Sequence, residues 1–216
     1  MRVLVGECTG RYVPELRRLG WGRMWIARTR NIYTYPGEPW GLDNGAFRDW
    51  KDGKVFDGDQ FMRVMDKAAA MPEPPYLAVL PDRPGLGAES LALSWSWLDR
   101  VPREWPWYLA LQDGMAPEDA EPFLGHITGL FLGGTNRFKA QAARWRGVAT
   151  NHGLGFHYGR CGTMNKIAHA VEVGADSLDS ALAMWTRSRW IGFVDALTLG
   201  VPQGDLFWDK KGVMAP

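Results

Sequence analysis

At 216 residues, 46% of them hydrophobic, the chain is long enough to bury one sizeable core and too short for two ordinary domains. A formal net charge of +1 excludes a polybasic protein that coats nucleic acid, while leaving room for a local basic patch. Two cysteines, Cys8 and Cys161, make neither a disulfide framework nor a paired-cysteine zinc spacing, and no apolar run approaches signal-peptide or membrane length, so a soluble cytoplasmic domain is expected.

In chain order, short apolar runs predict strands at residues 2–7, 24–28, 40–45, 76–80, 107–112, 129–134, 154–159 and 175–180. Helical spacing fills most of the gaps, at 56–70, 87–101, 116–124 and 163–173, with Asp57 as an N-cap and Pro117 at a helix start. The link at 29–39 reads as loop. Eight strands with mostly helical crossovers predict a compact single-domain (β/α)8 TIM barrel over residues 1–200, followed by a tail at 201–216; a doubly wound open sheet is the alternative. Most of the twelve tryptophans are expected in the core, among them the cluster at 95–107, with a minority left for base stacking.

Polar residues fall at the carboxyl ends of these strands, where side chains of a barrel converge on one mouth. They are Glu7 and Cys8, Arg28, Asp43, Asp82, Gln112, the pair Gly133–Gly134, His157 or Tyr158, and Asp179. One polar group in an apolar strand is usually structural, because leaving it unpaired costs roughly 1–3 kcal/mol; eight equivalent positions point to a site. Along the last strand a period of two places Ser177, Asp179 and Ala181 on one face and Asp176 and Leu178 on the other. With Leu178 packed outward, Asp179 points inward, and Asp176 is left for a capping or surface role.

The segment "CGTMNKIAHAVEVGADSLDSALAMWTRSR" resembles the part of the tRNA-guanine transglycosylases that carries a Gly-Thr turn, a helix, a Gly-x-Asp-x-x-Asp strand and a Thr-Arg pair. In that family the second Asp is the nucleophile, which implies Asp179. "LDNGAF" is similar to the family's Asp-Ser-Gly-Gly-Phe motif and implies Asp43 as general base. "ALQDG" places a base-reading glutamine at Gln112, "FLGGT" places carbonyl-receiving amides at Gly133 and Gly134, and "VLPDRP" places a second base-reading carboxylate at Asp82. The resemblance spans about residues 40–190. The family's Cys-x-Cys-x-x-Cys…His zinc site and RNA-docking insertions have no counterpart here. The chain therefore looks most like the smaller DpdA-like branch of phages and bacterial modification clusters, which inserts 7-deazaguanine bases such as preQ0 into DNA.

That resemblance implies a pentosyltransferase without metal or cofactor, with DNA, guanine and a preQ0-type base as ligands. Accessory modification proteins would be partners and the cytoplasm (the host's, if phage-encoded) its location. Asp179 would stabilise and trap an oxocarbenium-like C1′, Asp43 would move the proton of the base, and Phe47 and Tyr158 would sandwich the ring. Arg187, Arg189, Arg160, Lys166, Arg137 and Lys139 are candidate phosphate contacts, whereas Arg144 and Arg146 read as helix-surface charges. Glu7 is placed to support Asp43 or Arg28. His157 reads more simply as a hydrogen-bonded barrel residue, and His126 and His169 as surface or packing residues. Competing readings are an RNA-directed enzyme of the tRNA branch, a non-catalytic base- or nucleic-acid-binding paralogue, and a small-sugar hydrolase or aldolase on the same barrel.

Overall fold

A computed structural model describes residues 1–6, 12–29 and 32–198. Eight parallel strands follow one another around a closed barrel: β1 (Arg2–Val5), β2 (Gly22–Ile26), β3 (Trp40–Asp43), β4 (Leu77–Val79), β5 (Trp107–Leu111), β6 (Gly129–Leu132), β7 (Gly155–Tyr158) and β8 (Ser177–Ser180). All eight lie within or beside the runs expected from the sequence, mostly shorter by one or two residues. β8 pairs with β1 in the register Arg2↔Ser177 to Val5↔Ser180, and this pairing rules out the open sheet.

The crossovers carry α1 (Val13–Leu19), α2 (Ala46–Lys51), α3 (Gly58–Ala69), α4 (Gly87–Trp97), α5 (Asn136–Lys139), α6 (Ala142–Asn151), α7 (Met164–Glu172) and α8 (Arg187–Thr198). The segments Pro117–Phe123 and Leu182–Met184 are 3₁₀ helices. α3 shows why the sequence chooses this form. Asp57 caps it by accepting the Gln60 N–H at 2.9 Å, and Phe61, Val64, Met65 and Ala68 bury one stripe against the barrel. The link from β2 to β3 has no helix among its described residues. There Arg23, turned outward from β2, makes a bidentate buried pair with Glu38 at 2.6 and 2.7 Å and packs on the rings of Trp25 and Tyr33.

Side-chain alternation divides the core in two. Val3, Val5, Trp25, Leu42, Leu109, Leu130 and Leu178 face the helices. Leu4, Met24, Leu77, Val79, Tyr108, Ala110 and Phe131 fill the barrel. Tyr108 is admitted by glycines on the next two strands: a Cβ on Gly129 or Gly155 would lie 2.2 Å from its side chain. Of the twelve tryptophans, Trp21, Trp25, Trp40, Trp97, Trp105, Trp107, Trp145 and Trp190 are buried. Burying such a side chain is worth on the order of 2–3 kcal/mol. Glu7, Cys8 and the 201–216 tail lie outside the described residues. No helix among the described residues is long and apolar enough to cross a membrane.

Candidate active site

The β7–β8 side of the mouth is built around Asp179. Leu178 is fully buried against the helices, so Ser177 and Asp179 point inward, as the period of two requires. His157 of β7 lies beside them, fully buried, with Nε2 3.0 Å from Asp179 Oδ1 and Nδ1 2.8 Å from Ser177 Oγ. A carboxylate only accepts, so Nε2 carries the hydrogen and Nδ1 receives the Ser177 hydroxyl, which makes the ring neutral. Burial lowers the His157 pKa in the same direction, against the pull of Asp179. The ring stacks on Phe131 at 4.7 Å.

Asp179 Oδ1 also accepts the Arg160 N–H at 2.8 Å. Arg160 adopts φ +54°, the left-handed region that non-glycine residues seldom enter, at the turn that aims this N–H. The turn is stapled to β8: Cys161 N–H donates to Asp179 O at 2.8 Å, and Ser180 Oγ donates to Cys161 O at 2.6 Å. Burial alone would raise the Asp179 pKa. The hydrogen bond from His157, with that from the Arg160 amide, outweighs it and holds the carboxyl below its ordinary range.

On the β3–β5 side, Asp43 ends its strand facing inward and accepts the Gly45 N–H at 2.7 Å. Burial, with the nearby charges of Asp179 and Asp82, pushes its pKa up to about 7. Asp82, just beyond β4, is buried; Asn44 Nδ2 donates to its Oδ1 at 2.8 Å and Gln112 Nε2 to its Oδ2 at 2.5 Å. Burial raises this pKa too, with both amides resisting.

Between the two sides runs a slot lined by Asp43, Asp82, Phe47, Gln112, Phe131 and Arg160, over a floor of Val79 and Ala110. Its free volume is about 20 Å3, room for one water. The Arg160 guanidinium accounts for the closeness: it sits 3.9 Å from the Phe47 ring centre and donates to Gly134 O at 3.0 Å. A larger groove of about 1170 Å3 lies along α2 and α3, lined by Arg28, Asp49, Lys54 and Asp57 among others. There Arg28 is already paired with Asp49 and Asp52, whereas the carboxyls with displaced proton affinities converge on the small slot.

The structure thus brings Asp43, Asp82, Gln112, Phe47, Gly133 and Arg160 to one slot, with Asp179 close enough to act on Asp43. Other expected residues lie elsewhere or are otherwise engaged. Tyr158 faces the helices at 1% exposure, its Oη 3.0 Å from His169 Nδ1, so it cannot stack on a ligand in the mouth; Phe131 lines the slot instead. Lys139 is 2% exposed and donates to Gly159 O, too deep for a phosphate contact, and burial takes its pKa to about 7. The Gly133 amide donates to Leu111 O at 3.1 Å and the Gly134 amide to Gln112 Oε1 at 3.2 Å, so neither is an open donor.

Among the remaining cations, Arg137 is exposed, Lys166 and Arg189 are half-buried, and Arg187 is exposed but paired with Glu15 at 2.7 Å. Arg146 and Arg144 pair on the surface with Asp176 and Glu118. Asp176 also accepts the Phe156 N–H, the capping role its position suggested. Sequence reasoning missed Asn44 and Ser177. The signals were present: Asn44 lies inside "LDNGAF", and Ser177 shares the face of Asp179.

Among the described residues no three His, Cys, Asp or Glu side chains are grouped as metal ligands. What the mouth offers is one carboxylate held ionised, one carboxyl that exchanges a proton near neutrality, and a third that is locked between two amides. No protein-family model matches the chain and no curated protein matches it, so the chemistry of this mouth is the ground for a function.

Proposed function

We propose that this protein exchanges a guanine of DNA for a 7-deazaguanine base of the preQ0 type, through a covalent glycosyl-aspartate on Asp179. One observation carries the reading: two carboxyl groups of one mouth are driven to opposite protonation, Asp179 below its ordinary range and Asp43 up to about 7. That division of labour suits a retaining displacement at an anomeric carbon.

In the first step a carboxylate oxygen of Asp179 bonds to C1′ as the bond from C1′ to the purine N9 breaks. Asp43 gives its proton to the departing guanine. In the second step the ionised Asp43 takes the N9 proton of the incoming base, N9 bonds to C1′, and Asp179 is released. Both residues return to their starting state. Proton transfer of this kind is worth about 10²–10⁴-fold. His157 and the Arg160 amide hold Asp179 by Oδ1 only, which leaves Oδ2 for the sugar.

The base edge, with its N1–H and exocyclic amine, suits Asp82. Each of its oxygens has accepted one hydrogen bond and retains a second lone pair. The ring takes the face of Phe47 once Arg160 swings away, and it must leave the base stack to arrive there. Exposed Arg137 and Arg187, with half-buried Arg189 and Lys166, supply charge for the phosphates.

The test is intact-mass analysis of the protein incubated with a guanine-containing oligodeoxynucleotide, with preQ0 and labelled guanine followed in parallel and tRNA as the alternative substrate. A nucleotide adduct on Asp179 and label exchange into DNA are expected, both absent in Asp179→Asn. Exchange that survives in Asp179→Asn, or its absence from DNA, overturns the reading.

A further inference from the structure

With so many tryptophans internal, the exposed ones stand out. Trp50 is 57% and Trp185 58% exposed. Each closely follows a strand that delivers a carboxylate to the mouth: Trp50 lies on α2 just after Asp43 and β3, and Trp185 precedes α8 just after Asp179 and β8. Both therefore stand on the carboxyl-terminal face of the barrel, separated in the strand order by β1 and β2.

Each indole belongs to a cation–aromatic group. The Arg189 guanidinium lies 4.7 Å from the Trp185 ring centre. Trp50 stacks on Phe47 at 5.6 Å with planes 30° apart, and Phe47 in turn carries Arg160. The surroundings lean positive. On α2, Arg48 and Lys51 are exposed, whereas Asp49 is buried against Arg28 and Asp52 is shared by Arg28 and Arg48. Trp95, also exposed, differs in that Phe123 and His126 meet it edge-on on the flank of α4.

A flat π face beside a guanidinium matches an unpaired nucleobase and its phosphate. A duplex offers neither free base faces nor room for an indole between paired bases without unstacking them. We infer that Trp50 and Trp185 are stacking platforms for the nucleotides flanking the one in the slot, and that the protein engages DNA as a single strand. This rests on the proposed base exchange for the nucleotide in the slot, but the platforms are tested without any chemistry.

The measurement is fluorescence anisotropy of a labelled oligothymidylate of about twelve nucleotides, within the range such sites cover. Trp50→Ala and Trp185→Ala are each expected to weaken binding about tenfold, while the Phe variants at both positions stay within about threefold. Trp95→Ala binds like the unaltered protein, and duplex of equal length binds at least about tenfold more weakly. The tryptophan variants leave the slope of log affinity against log salt unchanged, whereas Arg189→Ala lowers it by about 0.7. Alanine variants that bind like Trp95→Ala, duplex bound as tightly as single strand, or no binding to either overturn the inference. The two proposals are separable: lost strand binding by the platform variants with no base exchange in the unaltered protein refutes the proposed function alone. Base exchange with no effect of either tryptophan refutes the platforms alone.

Discussion

On the β7–β8 side of the mouth Asp179 meets an imidazole N–H and a backbone N–H at 3.0 and 2.8 Å; on the β3 side Asp43 meets one backbone N–H and the charges of two other carboxylates. Both side chains end parallel strands of one barrel, and burial pushes both toward the neutral form. What separates them is the neighbours. Two donors and a polarised ring keep one ionised, and crowding by like charges keeps a proton on the other. The same residue type thus takes two protonation states a few strands apart, and the division is made by the groups around each carboxyl.

The harshest trial of this contrast is Asp179→Asn, expected to lower base exchange by about 10⁴-fold or more while the melting transition survives. Asp43→Asn should cost about 10²–10³-fold. It should also erase a pH optimum near 7, because the first step uses the protonated carboxyl and the second the ionised one; an optimum that persists in the variant breaks the comparison. His157→Phe keeps the stack on Phe131 but removes the donor, so the Asp179 pKa rises. Activity should fall about tenfold at pH 5.5 and largely recover by pH 8, a shift of the acid limb visible in kcat/KM.

The smallest effect is on stability. The folded pKa of Asp43, about 7, lies above its unfolded value of 3.8, so its favourable contribution is complete below about pH 4 and lost as pH rises through 7. Asp43→Asn escapes that loss and should be more stable by about 2 kcal/mol at pH 8.5, allowing for the solvent that reaches a half-buried carboxyl, with no gain at pH 4. Melting temperatures at the two pH values check this.

The strands were legible because buried parallel strands read as apolar runs, and the inward aim of Asp179 because Leu178 fixes its face. At β7 the sequence offered His157 or Tyr158 at the mouth, with Tyr158 expected against the ring and His157 as a hydrogen-bonded barrel residue. The choice between them is made by a pattern across strands: Gly155, His157 and Gly159 line up with Gly129, Phe131 and Gly133, and an inward aromatic needs glycine beside it. Lys139 offered no such clue. One turn into the crossover after β6 a lysine is ordinarily solvated, and only the fold carries its Nζ back to Gly159 O. The amide brace of Asn44 and Gln112 on Asp82 was equally invisible, since it joins the ends of three different strands.

Tyr108, wedged against the glycines of β6 and β7, makes the mouth a cul-de-sac: whatever enters must back out the way it came. Two purines cannot pass in such a dead end. For the proposed chemistry, expelled guanine has to clear the doorway while the sugar stays tethered to the protein, and only then is there a berth for its replacement. The steady state should therefore be ping-pong, with parallel double-reciprocal lines and free guanine competing against the incoming base.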